Sequence, residues 1–207
     1  MLEDKIRSVQ GRRPKVLGHA ETLKSAVIVP LITENDEIYV VFEKRAATLK
    51  WQPGEICFPG GRTEPCDKGT RASAVRETCE ELGLSPDDIE IIAPLDIMVH
   101  PANCMIFPYL AFINARHQIR LNYQEVERLL FVPLSYLLEA KPQIHNVSVR
   151  MFMEEDFPFE LIPQGKNYPL RIGNYWQYFY FWEGEVIWGM TSRILQHFID
   201  LLKNKNT

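Results

Sequence analysis

Cysteine is scarce in this sequence, and the few cysteines present form no recognisable site. The chain of 207 residues has four, at Cys57, Cys66, Cys79 and Cys104. No two of them form a C-x-x-C pair, the spacing typical of zinc sites and thiol redox motifs. We therefore expect reduced thiols in a cytosolic protein, without a structural zinc ion.

Long apolar runs are also missing. No stretch approaches the ~20 consecutive apolar residues that cross a bilayer. The first residues, MLEDKIRSVQGRRPK, lack the apolar core of a secretory signal peptide. The sequence therefore predicts a cytoplasmic protein that does not associate with a membrane.

An excess of positive charge is missing as well. The net charge of −4 argues against an extended nucleic-acid surface, although a nucleotide-sized ligand needs only a local basic pocket. The length favours one domain, which we place at residues 25–207 after an N-terminal extension of residues 1–24. In that extension Leu2, Ile6 and Val9 would form one stripe of a short helix, docking either on the domain or on a second copy in a homodimer.

Apolar and aromatic runs outline the elements of the domain. Pro30 suggests that the first strand lies at an edge or carries a bulge. The aromatic-rich stretch from Gln143 to Phe181 predicts twisted strands joined by a longer insertion. The expected strands are Ser25–Ile32, Ile38–Phe42, Ile56–Phe58, Asp88–Asp96 and Met105–Ile113, and the expected helices, besides the one described next, are Leu134–Ala140 and Thr191–Lys203.

The most distinctive stretch runs from Phe58 to Leu84 and reads FPGGRTEPCDKGTRASAVRETCEELGL. At about 100° per residue, an apolar and an acidic face separate on a helix that ends at Gly83. Either Asp67 or Thr70 would cap its start. The apolar face comprises Ala72, Val75, Thr78, Cys79 and Leu82, and the acidic face comprises Glu77, Glu80 and Glu81.

The three glutamates lie at positions i, i+3 and i+4, so they are neighbours on the helix surface. Like charges at this spacing destabilise an isolated helix by roughly 0.2–0.5 kcal/mol per pair. A cation such as Mg²⁺ reverses that effect, because it binds carboxylate oxygens together with water and phosphate oxygens. Gly60 and Gly61, just upstream, allow the backbone to approach a metal or a phosphate closely. For this helix alone, a solvated acidic face is the alternative.

This stretch resembles the Nudix box, G-x5-E-x7-R-E-U-x-E-E-x-G-U, in which U is a bulky apolar residue. The second half of the box is matched by Arg76, Glu77, Glu80, Glu81, Gly83 and Leu84. Counting forward from Gly61 puts Asp67 at the first acidic position, because the loop here is one residue longer than the general pattern. Whether Asp67 is a metal ligand or a structural cap stays open.

The preceding residues narrow the resemblance. The run KRAATLKWQPGEICFPGGRTEPCD is similar to the signature of the coenzyme A pyrophosphatase branch, R-S-x-x-L-x-x-x-x-G-x-x-x-F-P-G-G followed by an acidic position, and that branch shares the longer loop. Ala46 replaces its usual serine, and Gln52 stands where many bacterial members have histidine. W-G-M-T at Trp188–Thr191 resembles its closing segment. The positions in register are Arg45, Leu49, Gly54, Phe58, Pro59, Gly60, Gly61 and Asp67.

The resemblance implies an α/β (α+β) Nudix fold, a mixed β-sheet sandwiched between α-helices. It also implies metal-dependent hydrolysis of the diphosphate bond of a small molecule, coenzyme A or a derivative, with Mg²⁺ or Mn²⁺. The products would be phosphopantetheine, or its acylated form, and adenosine 3′,5′-bisphosphate.

Roles for individual residues follow from the same resemblance. Glu77 and Glu81 would be the best metal ligands, with Glu80 next. Glu77 or Glu125, the latter in the segment EVERLLFVPL, would orient or deprotonate the attacking water. Arg76 would steer the glutamates by ion pairing.

Basic residues surround the predicted site. Arg45, Lys50 and Arg62, with the backbone of Gly60 and Gly61, would bind phosphate oxygens, since arginine grips them in a bidentate way. For each cation the alternative is a solvated surface position.

Two other functions remain open. One is a Nudix pyrophosphatase for ADP-ribose, a dinucleotide or a nucleoside triphosphate. The other is a non-catalytic nucleotide sensor on the same fold, against which the full glutamate set argues. His100 stays open between an acid or base and a packing residue.

Overall fold

The computed structural model describes residues 1–13 and 16–203. In this part of the chain no helix has the length and apolar character needed to span a membrane. The helices are α1 (Leu2–Arg7), α2 (Thr70–Leu82), α3 (Leu134–Glu139) and α4 (Gly189–Leu202). The strands are β1 (Leu23–Glu34), β2 (Glu37–Arg45), β3 (Ile56–Cys57), β4 (Gly60–Arg62), β5 (Ile89–Pro94), β6 (Met98–His100), β7 (Cys104–Ile113), β8 (Val126–Pro133), β9 (Gln143–Val149), β10 (Gly173–Trp182) and β11 (Glu185–Ile187).

An eight-stranded mixed sheet forms the centre of the molecule. Its main order is β3-β2-β1-β7-β5, with β4 beside β1, β6 beside β7 and β8 beside β2. Strand β1 pairs in parallel with β7 and antiparallel with β2 and β4. The suggestion that β1 is an edge strand was wrong, because β1 is central. Pro30 lies between the end of the β4 ladder at Val27 and the start of the β2 ladder at Leu31, where neither antiparallel neighbour pairs with it.

Helix α2 covers one face of this sheet. Its Ala74 and Leu82 are buried against Ala26 and Ile28 of β1. Gly83 ends the helix in the left-handed conformation, φ 63°, as the sequence predicted.

The start of α2 differs from the expectation. Gly69 is the N-cap, and no side chain caps the helix. The Thr70 hydroxyl instead lies 2.6 Å from the Tyr109 hydroxyl, and Asp67 bonds to the preceding loop. The cap expected from either side chain is therefore absent, because both have partners elsewhere.

The opposite face of the sheet is covered by α3 and α4. Leu137 of α3 and Leu195 and Phe198 of α4 are buried in one core cluster with Val29 and Phe42 of the sheet. The chain thus has the predicted mixed sheet sandwiched between helices.

Outside the main sheet, the aromatic-rich stretch forms a three-stranded sheet in the order β11-β10-β9. At the other end of the chain, α1 has no buried residue. Leu2, Ile6 and Val9 are all exposed, so this stripe does not pack on the described part of the domain. Docking on a second copy stays a prediction.

Candidate active site

The site is built around Gly60 and Gly61, which form β4 together with Arg62. Val27 pairs with Gly60 and Ala26 with Gly61, so the glycine pair is fixed against β1. Gly60 has φ 139°, and a Cβ on it would lie 2.3 Å from the Ala26 carbonyl oxygen. Only glycine fits this close approach of two backbones.

Glu81 lies directly behind the glycine pair. Its side chain is buried, and one carboxylate oxygen accepts a hydrogen bond from the Gly60 N–H at 2.8 Å. Burial, followed by the charge of Glu43, raises the pKa of Glu81 well above its usual range. The alternative of a solvated acidic face is thus wrong for this residue, because α2 turns Glu81 toward the sheet and the glycine turn.

A further buried carboxylate, Glu43 of β2, lies beside Glu81. Glu43 is 1% exposed, and Cys57, its cross-strand partner, donates a hydrogen bond to its Oε1 at 3.2 Å. Burial raises the pKa of Glu43 to about 7. Its Oε2 is buried and has no hydrogen-bond partner within the described residues. Sequence reasoning missed Glu43, since it ended the strand at Phe42. The available signal was a glutamate continuing an apolar strand two residues before Arg45.

Glu77 is held at the front of the glycine pair by Arg76. The Arg76 guanidinium donates to Glu77 Oε1 at 2.9 Å, and a Cβ on Gly61 would lie 2.4 Å from the Glu77 carboxyl carbon. Burial raises the pKa of Glu77, and the hydrogen bond from Arg76 opposes that shift. Arg76 therefore fixes this carboxylate against a backbone position that has no side chain.

Arg76 is in turn anchored by Asp67. The Arg76 Nε donates to Asp67 Oδ1 at 3.0 Å, and Asp67 Oδ2 accepts from the Glu64 N–H at 2.8 Å. These bonds lower the pKa of Asp67 to about 2, with the arginine contact the larger cause. The Asp67 carboxylate therefore stabilises the turn at Glu64 and holds Arg76 in place.

Glu80 is more exposed than Glu77 and Glu81, although its charge still raises the pKa of Glu77. Its side chain is 55% exposed and pairs with Arg76 at 3.1 Å. The carboxylates beside the glycine turn are Glu43, Glu77 and Glu81, and the metal-binding role expected of Glu77, Glu80 and Glu81 stays a prediction. Glu80 instead extends the ion-pair network of Arg76.

Glu125 approaches this set from a loop on the other side. Its charge contributes to the raised pKa of Glu43, Glu77 and Glu81. The loop is tied down because the Ala46 N–H donates to the Glu125 carbonyl at 2.8 Å.

The same loop is also tied to the end of α2. The Asn122 N–H donates to the Glu81 carbonyl at 2.9 Å, and the Arg120 N–H donates to the Leu82 carbonyl at 2.8 Å. Backbone hydrogen bonds thus hold the loop of Glu125, a candidate general base, against the end of α2.

The residues present fit a divalent cation. Carboxylates that raise one another's pKa, one with an unpartnered buried oxygen, are what a hard cation neutralises. Over residues 1–13 and 16–203, no three His, Cys, Asp or Glu side chains already stand close enough to hold a metal ion together.

A pocket opens beside the glycine pair. Arg45 lies in its wall, and the Nε of this arginine is buried without a hydrogen-bond partner in the described chain. The lining comprises Ser25, Val27, Arg45, Gln52, Glu55, Cys57, Phe58, Gly60, Gly61, Cys104, Ile106, Trp188, Met190, Thr191 and Ile194. The segment Trp188–Thr191, which sequence reasoning had only matched by resemblance, is part of this wall.

Three other candidates lie outside that lining. Lys50 and Arg62 are exposed, and the Arg62 carbonyl accepts a hydrogen bond from Arg76 at 3.4 Å. His100 ends β6, where its Nδ1 accepts from the Ala102 N–H at 3.2 Å. Burial lowers the pKa of His100. His100 therefore forms a hydrogen bond within its own loop.

The mixed sheet between helices, with a glycine turn facing glutamates of the following helix, defines a hydrolase of the Nudix type. The sequence profile of the NUDIX domain matches residues 22–153. The chain belongs to this family, and it is a pyrophosphohydrolase that acts on a small nucleotide-type molecule. Members of the family generally use divalent metal ions.

Individual relatives agree with this assignment. The chain is 35% identical to peroxisomal coenzyme A diphosphatase NUDT7 of Mus musculus, over 74% of this chain and 66% of that protein. It is 25% identical to Nudix hydrolase NudL of Enterobacter sp. (strain 638), over 94% and 91% of the two chains. A MutT/nudix family protein from Enterococcus faecalis shares the fold, with a TM-score of 0.53 and 15% identity over 98% of this chain and 70% of that one.

Proposed function

We propose that this protein hydrolyses the diphosphate bond of coenzyme A or its derivatives. The products are phosphopantetheine, or its acylated form, and adenosine 3′,5′-bisphosphate. The observation that carries the proposal is the glycine turn, which stands between Glu81 and Glu77 and follows a coenzyme A branch signature in register from Arg45. The name of the mouse relative, a coenzyme A diphosphatase, supports the same substrate.

The proposed cofactor is Mg²⁺ or Mn²⁺, held by Glu43, Glu77 and Glu81. Relative to the prediction from sequence, Glu43 joins the ligands and Glu80 becomes a weaker candidate. When bound, the cation supplies positive charge to the diphosphate oxygens.

The remaining roles belong to residues around the cluster. Glu77 or Glu125 orients or deprotonates the attacking water. Arg76 positions Glu77 through the contact described above. Arg45, whose Nε has no partner in the described chain, binds phosphate oxygens, and exposed Lys50 and Arg62 add positive charge at the mouth of the site.

A substrate panel tests the proposal. We expect Mg²⁺- or Mn²⁺-dependent cleavage of coenzyme A and acyl-coenzyme A, with a kcat/KM at least about tenfold above those for ADP-ribose, dinucleotides and nucleoside triphosphates. Mass analysis of the products should find phosphopantetheine and adenosine 3′,5′-bisphosphate. Preference for ADP-ribose would move the protein to another Nudix pyrophosphatase, and tight binding without turnover under saturating metal would make it a sensor.

The pKa of Glu43 predicts how metal binding depends on pH. Its pKa is raised from 4.5 to about 7, so in the metal-free protein the stability gained from the neutral carboxyl is lost as the pH rises through 7. Metal binding needs the ionised form. We therefore expect the increase in Tm caused by saturating Mg²⁺ to be larger at about pH 8 than at about pH 6.

Thermal unfolding with and without Mg²⁺ across this range measures the effect. The Glu43→Gln variant removes the titrating group together with one proposed ligand, so its Tm increase on adding Mg²⁺ should be smaller and should depend less on pH. A Tm increase of equal size at both pH values in the native protein would contradict the prediction.

Location and assembly remain proposals as well. We propose a cytoplasmic protein, although the mouse relative is named as peroxisomal. The exposed apolar residues Leu2, Ile6 and Val9 form the surface that a homodimer would use.

A further inference from the structure

The pocket beside the glycine pair has two chemically different halves. Arg45, Gln52 and Glu55 make one half polar. The other half has no charged residue and comes from β1, β7 and α4: it comprises Ser25, Val27, Cys104, Ile106, Met190, Thr191 and Ile194, and its side-chain hydroxyls are those of Ser25 and Thr191. Strand β7 lies on the opposite edge of β1 from β2, which contributes Arg45. Gly60 and Gly61 pair with β1.

The apolar half is completed by a segment beyond the matched family profile. That profile ends at residue 153, whereas Met190, Thr191 and Ile194 belong to the first turns of α4. These turns close the pocket over β1 and β7, which contribute Val27 and Ile106. The apolar wall is therefore built partly from residues outside that profile.

A buried hydrogen-bond cluster fixes this wall in place. The Ser192 hydroxyl donates to the Tyr178 carbonyl at 2.8 Å. The Gln177 amide donates to the Ser192 hydroxyl at 3.1 Å and lies 3.2 Å from the Gly189 carbonyl. Gln177 and Ser192 are both buried. The first turn of α4 is thus anchored to β10, and the pocket is preformed.

The two groups that flank the diphosphate of coenzyme A differ in the same way as the two halves. On one side is a ribose, which carries hydroxyl and phosphate groups. On the other side is the pantoyl unit, whose carbon nearest the ester methylene carries two methyl groups. An apolar wall would leave ribose hydroxyls without partners at a cost of roughly 1–3 kcal/mol each, whereas it matches the dimethyl carbon.

We propose that the apolar half binds the pantoyl dimethyl group, and that Val27, Ile106 and Met190 are specificity-determining residues. This inference rests on the proposed function, and it assigns the direction in which the substrate lies. The nucleoside half extends toward Arg45 and Gln52. Substrates with a sugar in place of pantetheine lose the apolar contact.

The two products serve as probes, because each carries one half of the substrate. Phosphopantetheine and adenosine 3′,5′-bisphosphate are titrated calorimetrically in the presence of Mg²⁺, and as inhibitors of coenzyme A cleavage. The variants Val27→Thr and Met190→Ala should each weaken the binding of phosphopantetheine by about fivefold to tenfold. Binding of adenosine 3′,5′-bisphosphate should change less than about twofold.

Two further variants separate packing from a general loss of structure. Met190→Leu keeps an apolar side chain and should restore most of the phosphopantetheine affinity. Met151→Ala removes the same atoms from a methionine that is 54% exposed and outside the pocket lining, and it should change neither affinity. If Val27→Thr lowers the Tm strongly, Met190→Ala and Met190→Leu decide the question.

Opposite outcomes would overturn the inference. Selective weakening of adenosine 3′,5′-bisphosphate would place the nucleoside in the apolar half, and equal or absent effects on both probes would remove the specificity role. Failure of the proposed function looks different, because the native protein would then cleave no form of coenzyme A. Calorimetry would still report which probe the pocket prefers.

Discussion

Glu81→Gln should lower kcat/KM for the diphosphate substrate by at least about 100-fold while the protein stays folded. Glu81 is buried, accepts a hydrogen bond from the Gly60 N–H and lies within the influence of the Glu43 charge. We therefore expect its substitution to affect the site most. Glutamine has the same shape and can still accept from Gly60 through its amide oxygen. It removes only the charge that would neutralise a cation.

The stability of the same variant provides a second measurement. Burial and the charge of Glu43 raise the pKa of Glu81, so the metal-free native protein disfavours the ionised form of this side chain. Glutamine resembles the neutral form. We therefore expect the Tm of the metal-free variant to equal or exceed that of the native protein, and the Tm increase on adding Mg²⁺ to be largely lost.

Other glutamates supply the comparison. Glu80→Gln changes a carboxylate on the same helix that is 55% exposed and bound to Arg76, and its effect should be much smaller. Glu90→Gln, on an exposed position of β5, should be silent. An unchanged rate in Glu81→Gln, or a larger loss in Glu80→Gln, would remove Glu81 from the proposed metal ligands.

Much of the fold was accessible from local patterns. The end of α2 at Gly83 could be predicted because glycine readily adopts the left-handed conformation that closes a helix. The sandwich of helices around a mixed sheet could be expected once the box resemblance was recognised. Both inferences depend on residues that are close in the sequence.

The composition of the carboxylate set was not accessible in the same way. Helical periodicity placed Glu81 with Glu77 and Glu80 on the face opposite the apolar one, but the helix alone does not define how the sheet packs against α2. Glu43 joins from β2, and its contact with Cys57 depends on strand register. A buried glutamate breaks the rule that charged residues lie outside, and such exceptions occur where a site needs charge.

The second large effect is expected from a substitution in the glycine turn of Gly60 and Gly61. Gly61→Ala should lower kcat/KM by about 100-fold, because a shift of about 1 Å in a catalytic group can cost that much. A Cβ on Gly61 would lie 2.4 Å from both the carboxyl carbon and one oxygen of Glu77. The Glu77 side chain can move away, since it is the flexible end of a helical residue, so the fold should survive and the carboxylate should be displaced.

Gly60→Ala is the matched variant, and we expect it to affect stability more than Gly61→Ala does. Its Cβ would lie 2.3 Å from the Ala26 carbonyl oxygen and 2.6 Å from the Val27 Cα, at φ 139°. Backbone cannot yield as a side chain does, so this variant should lower the Tm strongly through the β1–β4 pairing. Circular dichroism melts and rates measured on both variants separate the two glycines. If Gly61→Ala kept full activity, Glu77 would not need its position against the turn.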